Sequence, residues 1–290
     1  MVAERCRPCK QSITMCKQNI NPYINDADKS PLLLRSAIAY IDVLGYKDLI
    51  DSDTSRYNLK FYRDALNWAY ESLEQFSEHA AANNIDLPDL KNKYEVRGFF
   101  DNLVIGYPIE GDRTEAVLET VFSLLAHVQL RMILDGYFLR GAISVGELHL
   151  DDTIVFGKGL LEAQAAEKDD ACSPRIILTA SATQQLNEHS VSMSSSISRY
   201  LYRDTDKQIF LNYLENIMEA APEGEPSYFE LNTHKKIVEN NLSKYIDRPK
   251  VLSKYLWVAN YHNYYCEKYK KYFDDSYKIA LNDYHMSSID

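Results

Sequence analysis

A short hairpin pattern, Y-E-V-R-G-F-F-D-N-L-V-I-G-Y from Tyr94 to Tyr107, constrains the fold of this chain most strongly. Two apolar runs flank Asp101 and Asn102, which both favour turns, so we expect two strands joined at this point. A carboxylate at the tip of a buried hairpin is unfavourable unless it has a partner. Asp42 ends another short apolar run, and Gly45 permits a tight turn after it. We therefore predict that Asp42 and Asp101 lie together and share a divalent cation.

The order of the remaining patterns predicts the fold class. Apolar residues recur at helical spacing from Tyr57 to about Glu78 and from Arg113 to Leu134, and a strand pattern follows from Phe138 to Leu150. The order strand, helix, hairpin, helix, strand predicts a ferredoxin-like β-α-β-β-α-β core, an α/β (α+β) fold with a mixed or antiparallel sheet. Such a sheet brings the end of the first strand to the hairpin, across 59 residues of sequence (101 minus 42).

Composition shifts along the chain indicate three parts. Residues 1–33 form a polar leader that we expect to be mobile or loosely attached, and it contains the incidental pair Cys6 and Cys9. Residues 34–215 form the core domain. Residues 216–290 form a helical extension that holds many of the 22 tyrosines. Its aromatic run from Tyr255 to His262 is expected to pack on the core or across a dimer.

Charge and cysteine content exclude several classes of protein. The formal net charge of -10 argues against a surface that binds a nucleic acid polymer or an anionic membrane. No apolar run approaches the roughly 18 residues of a membrane span, so we expect none. The five cysteines form no disulfide framework, which favours a reducing compartment and a cytoplasmic protein.

Four motifs together resemble a known enzyme family. Tyr40 begins Y-I-D-V-L-G-Y and Val96 begins V-R-G-F-F-D, which look like the two metal-binding motifs of class III nucleotidyl cyclases. Leu139 begins L-R-G-A-I-S-V-G-E, and Phe156 begins F-G-K-G-L-L-E-A, which resemble the strand and helix that complete the pocket of those enzymes. The residues of these motifs most resemble those of the bacterial pyrimidine nucleotide cyclases of the Pycsar anti-phage systems. The likeness covers roughly residues 36–212.

The resemblance implies conversion of UTP or CTP to its 3′,5′-cyclic monophosphate with release of pyrophosphate. It assigns Asp42 and Asp101 as the catalytic carboxylates and implies two Mg²⁺ or Mn²⁺ ions per site, held by both carboxylates and the backbone of Val43. In-line attack of the 3′-hydroxyl on the α-phosphorus needs such charge stabilisation. The turn that contains Leu44, Gly45 and Tyr46 leads into a helix, so its N–H groups could hold the β- and γ-phosphates.

Recognition of the base should depend on Arg97 and Thr153. Purine-specific relatives carry a Lys where this chain has Arg97, and an Asp near Thr153. The fixed donors of Arg97 suit a pyrimidine carbonyl, although the choice between uracil and cytosine stays open.

The chain also departs from the family pattern. Leu161 and Ala165 stand where the family usually has an Asn and an Arg that brace the ribose and the transition state. Another cation could replace them, and the candidates are Arg140 and Lys158 for the transition state and Arg203 and Lys207 for the triphosphate.

The family builds each active site from two subunits, so the resemblance also implies a homodimer with composite sites. A second messenger for anti-phage defence would be the product. Two alternatives remain open. One is a non-catalytic, cyclase-like module for nucleotide sensing or dimerisation, and the other is an interaction protein that works through its tyrosine-rich helices.

Overall fold

The computed structural model describes residues 21–51, 59–60, 63–64, 94–99, 101–188, 195–219 and 225–281. The helix predicted from Tyr57 to Glu78 and the loop after it lie outside these ranges, apart from two short helical pieces at 59–60 and 63–64.

One eight-stranded sheet organises the described residues. Its strands, in chain order, are β1 (Leu34–Val43), β2 (Glu95–Phe99), β3 (Asn102–Pro108), β4 (Leu139–Leu150), β5 (Val155–Phe156), β6 (Ile176–Leu178), β7 (Leu201–Arg203) and β8 (Ile209–Leu211). The spatial order is β2-β3-β1-β4-β6-β8-β7, with β5 paired to β4. Strand β1 is antiparallel to both β3 and β4, whereas β4 and β6 are parallel.

The predicted fold class is confirmed by this topology. The first four strands lie in the order β2-β3-β1-β4, which is the arrangement of a β-α-β-β-α-β unit. The later strands extend the sheet beyond β4, and helices follow at the C-terminal end of the described chain. The result is a mixed, mostly antiparallel α/β core with a helical extension.

Eight α-helices accompany the sheet in the described ranges. They are α1 (Tyr46–Ile50), α2 (Thr114–Leu134), α3 (Lys158–Asp169), α4 (Ala180–Glu188), α5 (Ser195–Arg199), α6 (Glu215–Glu219), α7 (Tyr228–Lys244) and α8 (Pro249–Lys268). A short 3-10 turn follows at Asp275–Tyr277. The last two helices lie within the predicted helical extension.

The two faces of the sheet are covered differently. Ile41 and the odd-numbered residues on either side of it in β1 belong to the main apolar core. That core also contains most of α2. On the opposite face α3 lies against β1 and β4. Gly146 and Gly159 allow this close approach, since a Cβ at Gly146 would lie 2.9 Å from the Cα of Gly159. The second face also carries Asp42.

Helix α2 is the one described helix that is long and apolar enough to cross a membrane by length and composition. In the fold, 78% of its apolar window is buried. Its apolar surface is therefore used for packing inside the protein. Scattered polar residues such as Thr120 and Gln129 interrupt this apolar run in the sequence, and both are buried here.

The end of the predicted leader is attached to the sheet, contrary to the expectation that it is loose. Tyr23 is fully buried, and its hydroxyl donates a hydrogen bond to Ser36 Oγ at 2.9 Å. Leu32 N–H donates to the carbonyl of Tyr23 at 2.7 Å, which closes residues 23–32 into a compact loop. Asn21 Nδ2 also donates to the carbonyl of Leu150 at 3.0 Å. A few isolated contacts of this kind leave no periodic signal in a sequence.

The C-terminal extension packs at the end of the sheet where β1 stops. Arg248 Nη1 lies 3.3 Å from Asp48 Oδ2 of α1, and the Tyr245 hydroxyl donates to the same oxygen at 3.3 Å. Tyr255 of α8 makes an edge contact with Phe138, with ring centroids 5.0 Å apart. The aromatic run therefore packs on the core, as expected, and brings α8 close to Asp42.

Candidate active site

The register of the sheet brings the two predicted aspartates together. Asp42 stands opposite Asn102 of β3 on one side and Arg140 of β4 on the other. The next residue, Val43, donates its N–H to the carbonyl of Asp101 at 2.9 Å. Gly45 follows with φ 81°, a left-handed conformation that favours glycine and starts α1. The structure therefore places Asp42 and Asp101 close together, and the cation that they would share stays a prediction.

Arg140 is the immediate partner of the Asp42 carboxylate. Its Nη2 donates to Asp42 Oδ2 at 3.1 Å, and the same nitrogen forms an ion pair with Glu167 of α3. Burial raises the pKa of Asp42, the Arg140 guanidinium opposes that rise, and the Asp101 charge adds to it. A buried carboxylate near a second one needs a cation, and Arg140 supplies this charge here.

Glu167 is a site residue that the sequence analysis missed. Its side chain is only 8% exposed, and burial raises its pKa while Arg140 opposes the rise. The sequence does contain an indication of this role, because Glu167 lies on the same buried face of α3 as Ala163 and Ala166. A glutamate on an apolar helix face is a candidate for a buried ion pair.

Lys254 is the second residue that was missed. It is half-buried on α8, and its charge lowers the pKa of Asp42. Burial and the neighbouring Arg140 lower the pKa of Lys254 itself, and Asp42 and Glu167 raise it. No local pattern could have linked Lys254 to Asp42, since 212 residues separate them (254 minus 42).

The two aspartates could hold divalent cations only together with further oxygen ligands from the substrate. Asp101 Oδ1 accepts a hydrogen bond from Asn102 at 2.8 Å, and Asp42 Oδ2 is bonded to Arg140. Among the described residues there is no group of three or more His, Cys, Asp or Glu side chains suited to hold a metal. Mg²⁺ is commonly bound by one or two carboxylates together with substrate phosphates, so the aspartate pair is compatible with that mode.

A cleft lies beside the aspartate pair and contains one of the predicted base-recognition residues. Its volume is about 430 Å³, and its walls include Tyr40, Asn102, Thr153 and Gln164. Burial raises the pKa of the Tyr40 hydroxyl, and its hydrogen bond to Gln164 opposes that rise. The cleft is large enough for a pyrimidine ring.

Arg97, the other predicted base-recognition residue, is held by neighbouring groups. Its Nε donates to the carbonyl of Asp151 at 2.9 Å, and its guanidinium pairs with Glu95 and Asp152. Asp151 Oδ1 accepts the N–H of Thr153 at 2.7 Å, so Arg97 and Thr153 belong to one connected turn. Base recognition by Arg97 stays a prediction, and it requires Arg97 to leave an acidic partner.

The predicted phosphate-binding turn has a more limited set of donors than expected. Leu44 already donates its N–H to the carbonyl of Phe138 at 2.8 Å. Gly45 and Tyr46 follow at the start of α1, which is only five residues long. Phosphate contact from the turn therefore depends on Gly45 and Tyr46 more than on Leu44.

The remaining predicted cations do not meet Asp42 within one chain. Lys158 begins α3, and nine residues of helix, or roughly 13 Å, separate it from Glu167. Arg203 lies on β7, which is four strands away from β1, or roughly 19 Å. Lys207 lies in the turn after it. Of the four candidates, the structure places only Arg140 at the aspartate pair.

Comparisons with known proteins give a limited result. No known family profile matches the chain, and no curated protein matches it. Among solved structures, it is similar to the adenylyl cyclase CyaB from P. aeruginosa, with 11% identity and a TM-score of 0.43. The match covers 62% of this chain and 93% of that one. A likeness at this level does not establish an activity.

Proposed function

We propose that this protein is a nucleotidyl cyclase that converts UTP or CTP to the 3′,5′-cyclic monophosphate and pyrophosphate. The observation that carries the proposal is the meeting of Asp42 and Asp101 at the end of β1, in a β-α-β-β-α-β sheet. A cleft that fits a pyrimidine ring is lined by Asn102, which follows Asp101 in the chain and pairs with Asp42 in the sheet. The motif resemblance supports the same reaction.

The chemistry requires charge stabilisation on the phosphates. The 3′-oxygen forms a bond to the α-phosphorus and loses its proton, and the bond from that phosphorus to pyrophosphate breaks. Two Mg²⁺ or Mn²⁺ ions, held by Asp42, Asp101 and the backbone of Val43, would stabilise the negative charge that develops. Arg140 holds Asp42 in position, and Glu167 is a second anionic partner for Arg140. Arg140 therefore stays anchored when Asp42 binds a cation.

Selection of the base would use Thr153 in the cleft and Arg97 in the adjoining turn. A nucleobase carbonyl near that turn could replace one of the acidic groups that now pair with Arg97. The fixed guanidinium would then donate a hydrogen bond to a carbonyl oxygen of the pyrimidine.

A homodimer would complete the site. Lys158 is too far from Asp42 to act on the same substrate within one chain, so a second subunit would have to supply it. Three large apolar side chains near the start of α3 are exposed, with exposed fractions of 50% for Ile154, 61% for Phe156 and 64% for Leu161. Adjacent apolar residues of this kind favour a subunit interface.

A non-catalytic nucleotide sensor is the second candidate. The observation that favours it is the ion pair between Arg140 and Asp42, which occupies one oxygen of a carboxylate that a metal would need. Leu161 and Ala165, in place of the usual Asn and Arg, favour it as well. A sensor would bind a nucleoside triphosphate and release no product.

The test is incubation of the purified protein with each of the four NTPs and Mn²⁺, followed by mass analysis for cyclic monophosphates. Wild type should form cyclic UMP or cyclic CMP. Asp42→Asn and Asp101→Asn should abolish the product while thermal unfolding shows that both variants are folded. Asp247→Asn, at an exposed aspartate between α7 and α8, is the matched control. Full activity in the Asp42→Asn and Asp101→Asn variants would contradict the proposal.

A role in anti-phage defence and a cytoplasmic location extend the proposal, and both are supported by the motif resemblance and the composition. Bacteria that express the wild-type protein should accumulate the cyclic pyrimidine nucleotide after infection. Bacteria that express Asp42→Asn should not. Equal accumulation in both would count against the defence role.

A further inference from the structure

A second cavity lies far from the aspartate pair, between the β7–β8 hairpin and α8. Its volume is about 550 Å³, which is in the range of pockets that bind small molecules. Half of its lining residues are aromatic, namely Tyr202, Phe210, Trp257, Tyr261 and Tyr264. Strand β7 is the edge of the sheet, four strands from Asp42, so the cavity is separate from the proposed active site of the same chain.

The rings are held in fixed orientations by one another. Tyr202 meets Phe210, Tyr261 and Tyr264 edge to face, with centroid separations of 6.1, 6.2 and 5.5 Å. Trp257 stacks on Tyr261 at 5.5 Å. Tyr264 is 60% exposed, so it forms an open wall where a planar group can stack.

Asp204, the acidic residue that lines the cavity, is held by a buried arginine. Asp204 accepts a hydrogen bond from Trp257 Nε1 at 2.6 Å and pairs with the buried Arg175. Arg175 also lies over the Trp257 ring, 5.6 Å from its centroid. Arg175 pairs with Asp206 as well, so one guanidinium balances two carboxylates. The role of Asp204 is to hold Trp257 and the hairpin in place.

Two exposed cations stand at the same cavity. Arg203 is a lining residue with an exposed side chain, and it makes a weak contact of 3.4 Å to the Lys207 carbonyl. Lys268 Nζ donates to the Tyr202 hydroxyl at 2.8 Å. In a chain of net charge -10, two cations at the rim of an aromatic cavity favour an anionic ligand.

We propose that this cavity binds a nucleoside monophosphate. The base stacks on Tyr264 and its neighbouring rings, and the phosphate pairs with Arg203, whose planar fork suits phosphate oxygens. The aromatic walls would stack on the flat base, and the exposed guanidinium would pair with the phosphate. The volume is sufficient for one nucleotide. The site is independent of the proposed cyclase reaction, since none of its residues touches Asp42 or Asp101 in the described chain.

The test uses the fluorescence of Trp257 in the full-length protein, titrated with UMP, CMP, AMP and GMP. Each is compared with its nucleoside and with ribose 5-phosphate. A monophosphate should change the emission with saturation, and the nucleoside and ribose 5-phosphate should each bind at least tenfold more weakly. The Trp257→Phe variant should lose the signal, which assigns it to this residue and not to Trp68, the other tryptophan of the chain.

Two variants and two controls decide the outcome. Tyr264→Ala removes an exposed wall and should raise Kd about tenfold, in line with the loss of one stacking contact. Arg203→Gln should weaken the monophosphate about tenfold and leave the nucleoside unchanged. Phe229→Ala removes an aromatic residue on α7 that is 79% exposed and should have no effect. Asp42→Asn should also have no effect, which separates this cavity from the proposed active site.

The proposal is overturned if no monophosphate changes the emission up to millimolar concentration. It is equally overturned if the monophosphate and its nucleoside bind alike, or if Tyr264→Ala and Arg203→Gln both bind as tightly as wild type. An effect of Asp42→Asn as large as that of Arg203→Gln would assign the signal to the active site. None of these outcomes depends on whether the protein is a cyclase.

Discussion

Acidification should destabilise the protein through a buried histidine pair in the C-terminal extension. His234 and His262 are both fully buried, with their Nδ1 atoms 3.0 Å apart and their rings stacked at 5.1 Å. His262 Nε2 contacts the carbonyl of Tyr277 at 3.0 Å, and the Tyr213 hydroxyl contacts His234 Nε2 at 3.0 Å. The neutral pair satisfies every contact if His262 donates to Tyr277, His234 donates to His262, and Tyr213 donates to His234.

The size of the effect follows from the pKa of His262. Burial is the main cause that lowers this pKa, the hydrogen bond to the Tyr277 carbonyl opposes it and the charge of Lys235 adds to it, and together they take the pKa from 6.5 to about 4. The unfolded chain therefore takes up a proton at a higher pH than the folded one, so stability falls as pH drops below 6.5. This residue alone should remove about 2 kcal/mol of unfolding free energy at pH 5 and about 3 kcal/mol at pH 4. Burial lowers the pKa of His234 as well, which acts in the same direction.

The assay is urea unfolding at several pH values between 7 and 4, with His262→Gln as the comparison. Glutamine can still donate to the Tyr277 carbonyl but does not titrate, so the difference between the two proteins isolates the histidine. NMR titration of the folded wild type gives the pKa of His262 directly. The reasoning is refuted if the difference changes by less than 1 kcal/mol between pH 7 and 4.5, or if folded His262 titrates near 6.5.

Three further predictions concern the candidate site. Arg140→Met should lower the free energy of unfolding by roughly 2 kcal/mol at pH 7, because two carboxylates lose their cation, and adding Glu167→Gln should recover part of it in chemical denaturation. Gly141→Ala should cost roughly 2 kcal/mol in the same assay, since its Cβ would lie 2.5 Å from a backbone oxygen of β1. Lys254→Gln should slow cyclic nucleotide formation about tenfold through the lost positive charge, whereas Lys250→Gln, an exposed lysine one turn earlier on α8, should not.

The extension has more influence on the site than its sequence indicates. Its tyrosines predicted a helical packing unit, and the contacts of Tyr245 and Tyr255 confirm that interpretation. The same packing brings Lys254 toward Asp42. The acid-sensitive pair His234 and His262 lies in the same two helices, α7 and α8, so unfolding them at low pH should also remove Lys254 from the site.

The sequence alone determined the features that depend on local pattern. Apolar runs and helical periods placed β1, the β2–β3 hairpin, α2 and β4, and their order predicted the sheet. Turn chemistry placed Asp42 and Asp101 at strand ends, and antiparallel pairing then required them to meet. These signals are readable because each depends on residues a few positions apart.

Only the tertiary structure decided which charges share the site. Arg140 faces Asp42 because β1 and β4 pair in one particular register, and Glu167 reaches Arg140 because two glycines let α3 approach the sheet. Lys254 arrives from a helix at the other end of the chain. The buried attachment of Tyr23 is decided in the same way. Such contacts join residues that share no local pattern, so they exist only once the sheet and its helices have packed together.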